Sequence, residues 1–287
     1  MSAAPRRAGI AEFHYRVDAP ARGHFPGHHR STRGDSGFEF RAHVPLLDAP
    51  DARRLDLLAS LRDPFGGWIV RTYTQRKSVP VVMVADLSAS MGVRGVRRRL
   101  DVVADFAESL AWSAWRAGDS FGFVGCDTAV RPDLRVAQSR ARGVGGPLAQ
   151  ALRALEPHGA DARGLLQAHR HLPRQRALVF LVSDFHLPLA DVAALLASFG
   201  HHQLVPVVVD DPAELAPAAP RGLAQLVDPE TGRERLVWWR PALRERWQAL
   251  QHERRSALRR LFRARRAEAL YIEREFRAEA VTRHFHR

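Results

Sequence analysis

Through the middle of the chain, short apolar runs of six to eight residues alternate with stretches of helical periodicity. This is the pattern of parallel strands buried on both faces by crossover helices. Residues 79–85, 120–126, 177–182 and 203–209 are the predicted strands. Between the first two, Leu100, Val103, Phe106, Leu110, Ala111 and Ala114 recur at three- and four-residue steps, which predicts a helix over 100–117 with one apolar stripe. Residues 147–155, 162–171 and 189–199 read as further helices. The expected fold class is α/β, a doubly wound and mostly parallel sheet over residues 78–210.

The flanks read differently. Residues 1–37 are rich in Arg, His, Pro and Gly without a sustained period, an irregular basic arm expected to add little to a core. Residues 38–77 predict a small flanking element: a strand in FEFRAHVPLL, a helix over 52–61 and a strand over 68–73. Residues 211–287 open with a connector of Ala and Pro. A hairpin turning about Pro229 to Gly232 follows, then a long helix over 241–266 in a basic tail.

The 287 residues are 46% hydrophobic and 26% charged, an ordinary globular composition that excludes wholesale disorder and a disulfide scaffold. No apolar run approaches the roughly 18 residues of a membrane span, and the first 30 residues lack a secretory apolar stretch. The expectation is a cytoplasmic protein without a membrane-spanning segment. Cys126 is the only cysteine, so neither an internal disulfide nor a thiolate cluster is available, and its place in an apolar run marks it as a small buried hydrophobe.

The formal charge is +13, nearly all from arginine, with Lys77 the only lysine. From Arg240 onward 14 Arg face 6 Glu, so the tail carries a net +8. Arg254, Arg255, Arg259, Arg260, Arg263, Arg265 and Arg266 interleave with Leu258, Leu261 and Phe262 at helical spacing. The pattern suits a helix packed on the domain with arginines outward. An acidic partner or nucleic acid bound on that face is the alternative, although recognition by aromatic stacking has little support.

The informative chemistry lies in VPVVMVADLSASM, where the first strand runs directly into Asp86, Ser88 and Ser90. In an open α/β sheet ligands bind beyond the carboxyl ends of the strands, where this turn would lie. A carboxylate and two hydroxyls at i, i+2 and i+4 converge from such a turn on one point. Hard oxygen donors of this kind suit Mg²⁺, with Mn²⁺ or Ca²⁺ not separated by ligand type. A second acid, Asp184, ends the later strand of LVFLVSDFHLP. The competing reading makes both aspartates caps of the helices that follow.

The Asp-x-Ser-x-Ser pattern resembles the metal-ion-dependent adhesion site of von Willebrand factor A-like domains. With GFEFRAHVP, RRLDLLAS, IVRTYTQR, LVFLVSDF and the tail from DPETG, the chain is similar to the bacterial family called domain of unknown function 58. Members are often found with MoxR-type AAA+ ATPases. The resemblance implies a non-enzymatic binding module, an adaptor or chaperone-like partner of such an ATPase in the maturation of, or metal insertion into, client proteins. Asp86, Ser88 and Ser90 would hold the ion and Asp184 would orient a bound water. A client's carboxylate would fill the open position. Two positions depart from the family pattern. Ala160 stands where a threonine usually helps coordinate the metal, leaving the neighbouring Asp161 as an oxygen donor, and Asp56-Leu57 replaces a frequent Asp-Trp.

Other motifs carry less. Arg33 to Asp35 spells an integrin-type tripeptide and Gly34 to Gly37 a protease-like GDSG, but Phe38 follows where that loop expects glycine. His24, His28 and His29 have metal-like spacing without a nearby acid. An aspartate-nucleophile phosphohydrolase would want an acid two residues after Asp86, where Ser88 stands. No phosphate-binding GxxxxGK loop is present.

Overall fold

The computed structural model describes residues 10–17, 26–30, 39–74, 76–93, 97–157, 161–210 and 222–286. Ala160, His24, the Arg33 to Gly37 motifs and the Ala/Pro connector lie outside them. The chain divides into two compact units, one of residues 17–79 and one of residues 1–16 with 80–287.

In the smaller unit, β1 (Pro26–Arg30) pairs with β4 (Arg76–Lys77), and β2 (Glu39–Pro45) runs antiparallel to β3 (Ile69–Thr74). The helix expected over 52–61 is instead two short pieces, a 3₁₀ turn at Ala52–Arg54 and α1 at Leu57–Leu61. Two aspartates five residues apart explain the break, because each caps a new start. Asp51 accepts the Arg53 N–H and Asp56 the Ala59 N–H, both at 3.1 Å, while Leu55 between them bridges to Val70. The second oxygen of Asp56 is held by Arg71 at 2.7 Å and His43 at 2.9 Å. Leu57 is 60% exposed.

The larger unit is built on β5 (Pro80–Asp86), all seven of whose residues are buried. A strand so apolar must be covered on both faces. It lies between β6 (Ser120–Cys126) and β8 (Leu178–Ser183), parallel to both. β9 (Gln203–Val209) and then β12 (Leu270–Ile272) extend the sheet in parallel on one side, and β7 (Val130–Ser139) closes the other as an antiparallel edge.

The strand residues alternate between two cores. Val82, Val84, Val124, Cys126, Val179 and Leu181 pack with Leu165 and Ala168 of a 3₁₀ helix (Arg163–His171) and with Val192, Leu195 and Leu196 of α4 (Leu189–Ser198). Toward the opposite face, Phe180 meets Phe106 of α2 (Arg99–Arg116) edge-on at 5.4 Å, and α2 packs on α3 (Gly145–Ala154). The fold is therefore the doubly wound α/β sheet expected. The Cys126 thiol is buried, and that burial pushes its pKa up.

After β9 come β10 (Gly222–Val227) and β11 (Glu234–Trp239), a two-stranded hairpin. The long α5 (Pro241–Ala264) and the terminal α6 (Ala278–Phe285) follow. Helix α5 buries Leu258 and Phe262, but its arginines do not all point outward. Arg254 donates to the carbonyls of Phe185 and Leu187 at 2.5 Å each, and Arg255 pairs with Asp210.

The arm contributes more than its composition suggests. Phe13 is only 2% exposed, wedged between Phe106 at 6.0 Å and Phe276 at 5.9 Å. The serine hydroxyls of Ser109 and Ser113, one turn apart on α2, accept the N–H groups of Ala11 and Phe13. A short segment anchored by Phe13 and Tyr15 leaves no periodic trace, which is why composition underrates it.

Candidate metal centre

Strands β5 and β8 are neighbours, yet the helices that follow them, α2 and α4, pack on opposite faces. This makes a crevice beyond their carboxyl ends, the topological switch point of an open sheet. Asp86 ends β5 and Asp184 directly follows β8, so the crevice receives both acids. Asp86 is 1% exposed, and Ser88, Ser90 and Asp184 are buried with it.

Each aspartate of this rim uses one oxygen to fold its own turn. Oδ1 of Asp86 accepts the Ser88 N–H at 2.9 Å, Oδ1 of Asp184 the His186 N–H at 3.1 Å, and Oδ1 of Asp161 the Arg163 N–H at 3.1 Å. These are Asx turns and not helix caps, since Ser88, Arg98 and Pro188 hold the N-cap positions of the helices that follow. The competing reading therefore does not hold, and the second oxygen of each carboxyl is not used by its own turn. The second oxygens differ in their surroundings. Asp86 Oδ2 accepts the Ser183 hydroxyl at 2.6 Å. Asp184 Oδ2 meets Arg99 Nη1 at 2.8 Å and His186 Nδ1 at 3.3 Å. Asp161 Oδ2 lies 3.6 Å from Arg163 Nε. The Ser88 and Ser90 hydroxyls are 3.2 Å apart.

Burial, and then the nearby Asp184 charge, push the Asp86 carboxyl up to about 7, against the hydrogen bonds from Ser183 and Ser88. Burial acts on Asp184 in the same sense. There His186, Arg99 and Ser90 together outweigh it and hold that carboxyl below the ordinary range. The crevice thus contains one acid paired with the Arg99 guanidinium and one supported only by hydroxyl and amide donors.

The donor set fits a hard divalent cation: carboxylate and hydroxyl oxygens, with neither thiolate nor imidazole on Asp86, Ser88 or Ser90. Among the described residues no three His, Cys, Asp or Glu side chains come together as a metal-holding group, so any ion here would rest on hydroxyls and water as much as on acids. The structure brings Asp86, Ser88, Ser90 and Asp184 into one hydrogen-bonded cluster. Asp161 stands apart from it, on the turn leading into the 3₁₀ helix.

Sequence reasoning passed over three members of this neighbourhood. Ser183 was visible beside Asp184 but was given no role. Arg99 had a signal, because it lies four residues before Val103 and seven before Phe106, on the buried stripe of α2. His186 had none, since its pairing with Asp184 depends on a loop in which Phe185 takes a positive φ of 55°.

A doubly wound domain with an Asp-x-Ser-x-Ser turn at its switch point defines the class. The chain belongs to the family described as "Protein of unknown function DUF58", which it matches over residues 50–257. Over 90 residues it is 43% identical to a Paracoccus denitrificans protein described as "Uncharacterized protein in moxR 3'region", a match covering 31% of this chain and 86% of that one. Among solved structures, the conserved hypothetical protein BatB from Bacteroides thetaiotaomicron aligns over 72% of this chain and 96% of its own, with 12% identity and a TM-score of 0.44. Proximal thread matrix protein 1 from the mussel byssus, in a form with a zinc-occupied MIDAS motif, aligns over 46% of this chain and 38% of its own, with 15% identity and a TM-score of 0.34. No helix among the described residues is long and apolar enough to cross a membrane.

Proposed function

We propose that this protein is a non-catalytic, metal-dependent docking module that serves a MoxR-type AAA+ ATPase as an adaptor or chaperone-like factor. The supporting observation is the Asp86 carboxylate, buried at the switch point among the Ser88, Ser90 and Ser183 hydroxyls, with the Arg99 guanidinium committed to Asp184 beside it.

Asp86, Ser88 and Ser90 would hold Mg²⁺, Asp184 would orient a water on it, and Asp161 is the substitute donor on the far side of the rim. Bound there, the ion supplies an electrophilic centre with one anionic ligand and positions left open. The chain's residues do the rest. Ser183 keeps Asp86 oriented, Arg99 keeps Asp184 from competing as a second anionic ligand, and the rim admits a carboxylate from a client. Ser88, where a phosphohydrolase would need an acid, gives the site no group to protonate a leaving group. The gene neighbourhood in the name of the Paracoccus denitrificans relative supports the ATPase as partner. An ATP-driven partner sets the docking in the cytoplasm, and maturation of a client, or metal insertion into it, is the task this reading assigns.

The test is calorimetric titration with Mg²⁺ alone, beside co-purification with the MoxR-type ATPase in Mg²⁺ and in chelator. Wild type is expected to bind Mg²⁺ and to lose the ATPase on chelation, and Asp86→Ala to do neither. Undiminished Mg²⁺ binding by a folded Asp86→Ala protein would overturn the reading.

A further inference from the structure

The central sheet ends differently on its two sides. At one edge β7 is long but blunted, with Pro132, which has no N–H to offer, between the charged Arg131 and Asp133. The other edge, β12, is uncharged: Leu270, Tyr271 and Ile272 have β9 as a neighbour on one side and, among the described residues, no strand on the other. In a parallel ladder successive residues turn their backbone groups to opposite sides. The Asp210 N–H donates to the Ile272 carbonyl at 3.0 Å, so Leu270 and Ile272 bond toward β9 while Tyr271 turns its N–H and carbonyl outward. Neither of these two groups has a partner among the described residues.

Helices α5 and α6 cover opposite faces of the sheet at this edge. Leu258 and Phe262 of α5 join the core on the α4 side, whereas Phe285 of α6 meets Phe180 on the α2 side at 6.0 Å. A cavity opens against each helix, and Tyr271 lines both. The one beside α6, of about 340 Å³, is lined by Leu270, Ile272, Ala280 and Val281, and Arg277 on its rim is paired with Glu275 at 2.6 Å. The one beside α5, of about 580 Å³, is lined by Arg259, Arg263 and Arg266 against a single acid, Glu268. Arg259 lies over the Tyr271 ring at 5.6 Å, and none of the three arginines is paired with an acid among the described residues. Arg266 is strained: it follows α5 with a φ of 53°, the left-handed position where a helix end usually takes glycine. Its side chain is exposed, so packing gives no reason for an arginine there, but its place on the cavity wall does.

We propose that the open edge of β12 takes an extended segment of another protein as an added strand, with acidic side chains on its α5 side and small apolar ones on its α6 side. A strand added about 4.8 Å from β12 lies between the two helices. Its residue opposite Tyr271 shares the face of that side chain, which sends every second side chain toward the arginines and the others toward Leu270, Ile272 and Val281. Tyr271 supplies the N–H and carbonyl that the incoming backbone pairs with. A nucleic acid would answer the arginines but leave those two groups unmatched. Neither cavity includes Asp86, Ser88 or Ser90, so the proposal goes beyond the metal reading and does not depend on it.

The experiment is fluorescence anisotropy of the full chain with a labelled acetyl-Val-Glu-Val-Glu-Val peptide, with hydrogen exchange of the Tyr271 amide as second readout. Three further probes accompany it: the Val-Lys-Val-Lys-Val counterpart, a copy of the first peptide with every amide N-methylated, and an oligothymidylate of the same length. The Val-Glu peptide is expected to bind and to slow exchange at Tyr271, and the lysine and N-methylated peptides to bind at least tenfold more weakly. Arg266→Gly, which relieves the left-handed strain, is expected to fold at least as stably as wild type in thermal unfolding and yet to bind the Val-Glu peptide several-fold more weakly. An arginine with a merely structural role would not give that combination. Four results overturn the proposal: no binding of the Val-Glu peptide up to about 1 mM, equal binding of its N-methylated copy, undiminished binding by Arg266→Gly, or an oligothymidylate that binds as tightly as the peptide.

Discussion

The Ser183 hydroxyl donates to Asp86 at 2.6 Å and accepts the Phe185 N–H at 2.9 Å, so one small side chain ties the ends of two adjacent strands and the loop beyond them. Ser183→Ala leaves a buried carboxylate oxygen and a buried amide without these partners. The expected cost is about 2–3 kcal/mol, read as a lower urea midpoint at unchanged slope. A loss under about 0.5 kcal/mol would mean that water replaces the hydroxyl.

Arg99 and Asp184 form an ion pair whose side chains are each 4% exposed, and the same guanidinium nitrogen donates to the Ser90 carbonyl at 3.1 Å. Removing one member strands the other charge away from water. Arg99→Met is expected to destabilise by about 3–5 kcal/mol, and the double change with Asp184→Asn to recover a large part of it. A double variant whose loss equals the sum of the two single losses in denaturant titration would show that the two groups act independently.

Gly164 makes a close backbone approach. A Cβ there would meet the Ala129 carbonyl at 2.4 Å and the Asp127 oxygen at 2.7 Å, and the Gly164 N–H donates to that same Asp127 oxygen at 2.8 Å. The obstruction is backbone, which has no rotamer to escape into. Gly164→Ala is expected to cost about 2–4 kcal/mol. Gly146, inside α3, meets nothing nearer than Glu108 at 4.0 Å, and Gly146→Ala is expected to stabilise by about 0.4–1 kcal/mol. Thermal unfolding of the two variants side by side is the check.

His202 accepts the Ala177 N–H on Nδ1 at 3.2 Å, and burial, with the charges of His201 and Arg176, lowers its pKa from 6.5 to about 4. The folded state therefore favours the neutral ring. The stability this supplies is complete above pH 6.5 and is lost as the pH falls from there through 4. Discounted for partial exposure, it amounts to about 1–2 kcal/mol. Wild type should lose stability over that window more steeply than His202→Gln, and parallel pH profiles of unfolding would remove His202 as the cause.

Much of the larger unit is legible in the sequence because its strands are buried on both faces. Residues 120–126 and 203–209 match the observed strands end for end, and β5 and β8 are offset by one residue. What escaped is what only one neighbour buries. β7 carries Arg131, Pro132 and Asp133 in a mostly solvent-facing edge strand, where proline is tolerated, so its polarity reads as loop. β12 is three residues long inside an arginine-rich tail. The site divides in the same way. Asp86, Ser88 and Ser90 share one turn and can be read locally, whereas Arg99 and Ser183 come from other stretches of the chain, and no local pattern reports that kind of convergence.

The seating of Phe13 between α2 and Phe276 has a consequence for biosynthesis. Tyr15 stacks edge-on against Phe285, and the His14 N–H bonds the Thr282 hydroxyl. The segment carrying His14 is therefore fully seated only against a stretch 268 residues further along the chain. Until that stretch has been made a growing polypeptide can rest the aromatic segment on α2 alone, and this buckle fastens only once α6 has emerged.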